Sequence, residues 1–275
     1  MTEARRAHRD PAFGSHPKRV MRGVGMAALL WVAMLAGCNS EPAYQGVSFV
    51  VYNYTPDEMD WVRLSDEKGG RASTMQISVG AGAGSVSCCH TLRGTAFKAQ
   101  WQAIDPLEFH RSGKDFDSLV FRRVQEVTFP ATEPPPGDGP LYLELHIYPD
   151  EHLEMALSRK LTNNRLPIVD TARWLWREHR SALQDFRDGV ELTRVVARVT
   201  KTSWGKYRIE DAADMRQYMR MYFTVASNFD QDPEIATVLE RPDRQAGEFA
   251  RLVERLPANR IAQLKTSGTP GGKDV

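Results

Sequence analysis

The sequence predicts an α+β protein: an N-terminal antiparallel β-sandwich or small barrel, followed by a helical C-terminal region. Two observations carry this expectation. From Gly46 to about residue 160, short β-branched and aromatic runs alternate with turn residues. Past Pro167 the apolar residues step by three and four instead. Strands first and helices second is the order of an α+β chain, and no internal repeat interrupts it.

Val47 to Tyr54 is the first strand, ending at the turn residues Thr55-Pro56-Asp57. Met59 to Leu64 fits a second strand and Thr74 to Val79 a third, with Asp66 to Gly70 as the turn between them. The loop Gly80-Ala81-Gly82-Ala83-Gly84-Ser85 follows, then Val86 to Leu92 and the alternating stretch Ala96 to Trp101. Val120 to Phe129 reads as another strand, with Val124, Val127 and Phe129 in or near its inward set. A proline-rich surface loop from Thr132 to Pro140 leads to Leu141 to Tyr148, where Leu141, Leu143, Leu145 and Ile147 share one face. Met155 to Ser158 ends the β-rich part.

In the helical region Asp170 is the expected N-cap. Trp174, Leu175, Ala182, Leu183, Phe186 and Val190 form a stripe with a break or a bend expected at Gly189, and it runs on through Val199. A second helix is expected from near Glu210, then two shorter ones over Pro233–Leu239 and Asp243–Leu256. The Gly- and Pro-rich end, 266–275, predicts an unstructured tail.

The first 37 residues read as an address. Lys18, Arg19 and Arg22 precede a short apolar run that closes at Leu35-Ala36-Gly37-Cys38. Basic, then apolar, then small residues is the order of a secretory signal, and the run is shorter than the roughly 20 residues a membrane span needs. The small pair before a cysteine makes it a lipobox with lipidation at Cys38, palmitate included. Translation from Met1 or from Met21 gives the same mature end. Asn39 after the lipidated cysteine points to the outer membrane, with the domain facing the periplasm. The expected organisation is signal peptide 1–37, tether 38–45, β-rich domain 46–160, helical region 168–265 and tail 266–275.

Cys38 to the end is 238 residues (275 less 37), enough for a real core. Six of the 36 basic residues and two of the 35 acidic ones precede Cys38, leaving 30 against 33 and a formal charge of −3. That balance gives no electrostatic case for nucleic acid.

Cys88 and Cys89 are the two remaining cysteines. In an oxidising compartment a pair suggests a disulfide. Neighbours close only an eight-membered ring, and bridging between chains is the other option. A closed zinc site would need four spaced ligands, which Cys88-Cys89-His90 does not supply. The 80–85 loop lacks the Gly-Lys-Ser/Thr ending of a phosphate loop. Ser65-x-x-Lys68 has the spacing of serine–lysine enzymes but falls in a charged turn, not on a helix. His146, Asp150, Glu151, His152 and Glu154 cluster at a strand end; the solvated face of a sheet is the expected setting, and no partnered nucleophile accompanies them. No metal, cofactor or enzymatic activity is therefore expected. Trp176 and Trp204 fall off the main apolar stripes and, with Arg177, are the candidate contacts for a protein partner; a charged solvated helix face is the plainer account.

The order Tyr52-Asn53-Tyr54-Thr55, Gly69-Gly70, a glycine-rich loop, Cys88-Cys89 and a strand ending at Trp101 resembles an uncharacterised family of proteobacterial lipoproteins. Leu141 to Tyr148 is similar to that family's last recognisable segment. The resemblance covers Gly46 to Leu157, departs from the family in long inserts around Gly113 and Pro135, and leaves the helical part outside. Members are often encoded beside type VI secretion effectors, phospholipases above all. The resemblance implies a periplasmic immunity lipoprotein whose partner is such an effector. A structural or assembly lipoprotein of the envelope or secretion apparatus is the alternative, and an envelope hydrolase ranks third.

Overall fold

Eight strands form two four-stranded sheets in the computed structural model, which describes residues 41–80 and 86–275. The lipobox, Cys38 and most of the 80–85 loop lie outside the described residues. The strands are β1 (Ala43–Asn53), β2 (Glu58–Asp66), β3 (Arg71–Ile77), β4 (Ser87–Arg93), β5 (Ala96–Ile104), β6 (Phe121–Thr128), β7 (Tyr142–Ile147) and β8 (Leu153–Ser158). One sheet has the order β4-β1-β7-β8 and the other β3-β2-β5-β6. Phe49, Val51, Leu143 and Leu145 from the first meet Val62, Leu64, Ala99 and Trp101 from the second in a shared apolar core.

The sheets do not close into a barrel, and the sandwich is not wholly antiparallel. β1 pairs with β7 in parallel, Tyr52 lying beside His146. All other pairs are antiparallel. The first strand, expected from Val47, begins at Ala43, inside the stretch 38–45 expected as a tether. Val124 is a further correction: it points outward, 55 % exposed, because the alternation that buries Val127 excludes it.

β1 and β4 carry two bulges that cancel. Gln45 pairs with Thr91 and Phe49 with Ser87, but Val47 between them pairs with His90. β1 therefore holds one extra residue at Gly46, whose φ of 65° favours glycine, and β4 holds one at the cysteine pair, where Cys89 has φ 70°.

Helices follow: α1 (Pro106–Ser112) and the single turn α2 (Phe116–Leu119), neither anticipated, then α3 (Ile168–Glu178), α4 (Gly189–Tyr207), α5 (Ala212–Thr224), α6 (Pro233–Leu239), α7 (Glu248–Arg255) and α8 (Ala258–Ser267). Among the described residues none is long and apolar enough to cross a membrane. Asp170 sits inside the first turn of α3, where its charge suits the helix dipole, and Pro167 takes the cap position. The long stripe read from Trp174 to Val199 is two helices. α3 stops at Glu178, and Asp188 starts α4 by accepting from the Val190 and Glu191 amides.

This helical layer covers the outer face of the β1 sheet. Val50 and Tyr52 join Leu175, Val195, Val196 and Phe223 in a second core. The two regions read separately from the sequence thus share one core, and Glu41–Val275 is one compact unit.

The end of the chain is ordered, not loose. The Ser227 amide donates to the Thr269 carbonyl at 2.7 Å and the Gly271 amide to the Tyr222 carbonyl at 2.8 Å. Arg198 donates to the Val275 carbonyl at 2.7 Å. A side chain at Gly271 would overlap the Tyr222 ring, so a glycine is needed there. Gly271→Val is expected to release residues 268–275, seen as faster trimming by carboxypeptidase and about 1–2 kcal/mol of lost stability in chemical denaturation.

Candidate functional site

The residues most capable of chemistry converge on the helix-facing side of β1 and β7. β7 puts its leucines on one face, so Glu144 and His146, two apart, share the other. β1 adds Tyr52 beside His146, the rings stacked with centroids 4.7 Å apart, and Tyr54 just past the strand end. A turn holds Tyr54 in place: Asn53 Oδ1 accepts from the Thr55 amide and hydroxyl, and Asn53 Nδ2 donates to the Asp57 and Ser78 carbonyls.

The hydrogen bonds run in one direction. The Arg165 amide donates to Tyr54 Oη at 2.8 Å, leaving that hydroxyl to donate to His146 Nδ1 at 3.0 Å. The imidazole proton is then on Nε2, which faces Glu144 Oε2 at 3.1 Å. Ser158 donates to Glu144 Oε1 at 2.5 Å and Asn163 Nδ2 to Oε2 at 2.9 Å. Burial alone would raise the Glu144 carboxyl, but these donors outweigh it and hold it below its ordinary value. Burial pushes the His146 imidazole down, against the pull of Glu144. The pair is an anionic carboxylate served by a neutral histidine.

Both side chains are 0 % exposed. This corrects the expectation of a solvated sheet face: His146 does lie opposite the leucines, but the segment between β8 and α3 crosses over that face and seals it. Tyr52 Oη donates to the Leu161 carbonyl at 2.6 Å and accepts from the Asn163 amide at 3.1 Å. Arg165 also reaches Tyr148 Oη at 3.0 Å and pairs with Glu154.

A second group lies at the β7–β8 turn. His152 Nδ1 is 2.5 Å from Asp150 Oδ1, and Nε2 faces Glu154 at 3.7 Å. The ring stacks on Tyr148 at 4.1 Å. Both nitrogens thus point at carboxylates, not at a hydroxyl or thiol. Glu151 is paired with Arg123 at 2.9 Å. Trp204 packs on Tyr148 at 5.4 Å and is only 2 % exposed, which removes it from the candidate partner contacts: it closes the joint between α4 and this turn.

Trp176 and Arg177 remain at the surface. Arg180 lies 3.6 Å over the Trp176 ring, and Arg177 is exposed beside Glu178 at 2.7 Å. Trp176 lines a cleft of about 470 Å³ with Val169, Arg173, Val190 and Arg194. Val190 is 61 % exposed there. Trp204 lies fourteen residues further along α4, ~21 Å at the helical rise, so the two tryptophans do not form one patch.

Cys88 and Cys89 are both exposed on β4 and joined as a disulfide. His90 instead turns inward, Nε2 at 2.9 Å from Ser87 Oγ. Ser65 lies within β2 and Lys68 sits in the turn after it, so they do not share a helical turn. Among the described residues no group of three or more His, Cys, Asp or Glu side chains could hold a metal ion. Comparison with protein-family models, curated proteins and solved structures found no match.

The sequence flagged His146 but not Glu144 or its two tyrosines. The signal was there, in Tyr-x-Tyr on one strand and Glu-x-His on another, but the pairing of β1 with β7 spans most of the β region.

Replacing Glu144 by Gln puts an amide donor among three donors. About 3 kcal/mol of stability is expected to go, read from the urea midpoint of the variant. Asp57 has the opposite character. Burial, only partly offset by Lys201, pushes its carboxyl up to about 6, so the folded state resists its ionisation. That cost is absent below about pH 4, where both states are protonated, grows from there to about 6 and is complete above it. Asp57→Asn is expected to be about 2 kcal/mol more stable than the parent at pH 8, with the advantage fading below pH 5, measured by denaturation across that range.

Proposed function

We propose that this chain is a lipid-anchored, periplasm-facing protein of the outer membrane that works by binding, and that its partner is a lipase-type antibacterial effector it neutralises. One observation supports the binding half above all. The Glu144–His146 pair, the grouping with the residue types of an active site, is closed to solvent with its donors and acceptors spent on holding the chain together. What the molecule offers to its surroundings is surface.

The effector half rests on the resemblance of Gly46–Leu157 to lipoproteins encoded beside such toxins. The mechanism asks for no chemistry from the chain. A tether at Cys38 raises the local concentration of an inhibitor at the membrane where a lipase acts. Trp176, with Val190 and Arg173 beside it in the cleft and the exposed Arg177 next to it in sequence, has the composition of an interface anchor.

The test is co-expression of the full chain with the lipase-type effector encoded next to it. Survival of the host and a purified complex of the two are expected. Cys38→Ser should keep the complex and lose protection, and Trp176→Ala with Arg177→Ala should weaken the complex about tenfold. Neither complex nor protection overturns the reading.

A further inference from the structure

The helical layer covers one side of the sandwich only. Its core takes strand residues from β1, and none from the sheet β3-β2-β5-β6. Residues of that sheet's outer face are exposed or half-buried, with Phe116 of α2 flanking Asp60 at one end, and each of its four strands turns one cation outward: Arg71 on β3, Arg63 on β2, Lys98 on β5 and Arg122 on β6. None has a carboxylate within ion-pair distance among the described residues; beside the Trp176 cleft Arg173, Arg177 and Arg187 do, while Arg180 and Arg255 further along the helices donate to backbone carbonyls instead. Among the described residues two carboxylates share the face. Glu126 stands opposite Lys98, and Asp60 accepts from Gln102. The face is therefore net positive on a domain whose formal charge is −3 (30 basic, 33 acidic from Cys38 onward).

Its apolar groups sit among the cations. Trp61 lies between the strands that carry Met75 and Gln102, with the Arg63 guanidinium 5.3 Å over its ring. Val124 stands on β6 in the row of Arg63 and Gln100. Neighbouring strands are ~4.8 Å apart, so the four cations are spread over ~14 Å and do not converge on one point. Spread charge with an interfacial tryptophan suits an array of headgroups better than a single anion.

We propose that the outer face of the β3-β2-β5-β6 sheet lies against an anionic phospholipid surface. The proposal builds on the anchor at Cys38. Four residues separate Cys38 from Ala43, five Cα steps with a reach of at most ~17 Å, so a domain anchored there stays within contact of the bilayer. Lying on this sheet, it turns the helical layer and the Trp176 cleft away from the membrane, toward a partner.

The test uses Glu41–Val275, which contains both cores and needs no lipid anchor. It is sedimented with vesicles of phosphatidylcholine alone and of phosphatidylcholine mixed with phosphatidylglycerol. Binding to the mixed vesicles only, falling with added salt, is expected, with a loss of about fivefold for each of Arg63→Gln, Lys98→Gln and Arg122→Gln. Arg173→Gln with Arg177→Gln should leave it unchanged, and circular dichroism checks that every variant is folded. No binding to anionic vesicles, or binding indifferent to the sheet substitutions, overturns the proposal. So does weakened effector capture by those substitutions with vesicle binding intact, which assigns the face to an acidic protein surface. Because lipidation plays no part here, failure of the anchor shows separately, as a full chain that does not incorporate labelled palmitate.

Discussion

A single buried carboxylate holds the molecule together. Glu144 has no water to solvate it, so it is affordable only because His146, Ser158 and Asn163 all donate to it. Those three donors come from β7, β8 and the crossing segment before α3. The charge therefore dictates where that segment runs, and the segment dictates where the helices begin. Tyr52 and Tyr54 extend the same demand to β1. A hydrophobic interface between sheet and helices would tolerate sliding; this one has a fixed register, because a shift of one residue would strand a charge.

The same arrangement explains which parts of the fold were legible in the sequence. Alternation in β7 and β5 was plain, since one face of each meets an apolar core and the period of two is strict. α6 was legible to the residue because Asp232 and Pro233 mark its start. α1 was missed, although Asp105-Pro106 is the same start signal and the helix is as long as α6, because it opens directly from the end of β5, inside a run of strands. The tail misled for a different reason. Gly271 suggests disorder by composition, yet it is there because only a glycine can pass the Tyr222 ring. For the site, Trp204 looked exposed because it leaves the stripe of its own helix, and no single-sequence pattern could reveal that the β7–β8 turn covers it. His146 was misjudged likewise, since the layer above it is built by residues far along the chain.

The two outer surfaces differ in how their charge is handled. Around the Trp176 cleft, Arg173, Arg177 and Arg187 are each matched to an acidic neighbour one or three residues away. On the β3-β2-β5-β6 sheet, the strand alternation that sends residues outward brings cations from separate strands onto one side without matching acids. The flat side therefore carries cations that no described carboxylate pairs, while the helical side mixes paired arginines with unpaired ones. A tethered protein needs such a difference if it is to present one side consistently.

The cancelling bulges on β1 and β4 bear on how this strand pair can change over time. Removing Gly46 alone would leave the β4 bulge uncompensated and slide the Tyr44–Leu92 end by one residue, turning its inward side chains out. Removing one cysteine alone would do the reverse. Removing both would give an ordinary ladder with every inward residue still inward. Gly46 and the cysteine pair are therefore one unit of inheritance: relatives of this chain should carry both insertions or neither, and the glycine, far from the sulfurs in sequence, marks which of them have kept the pair.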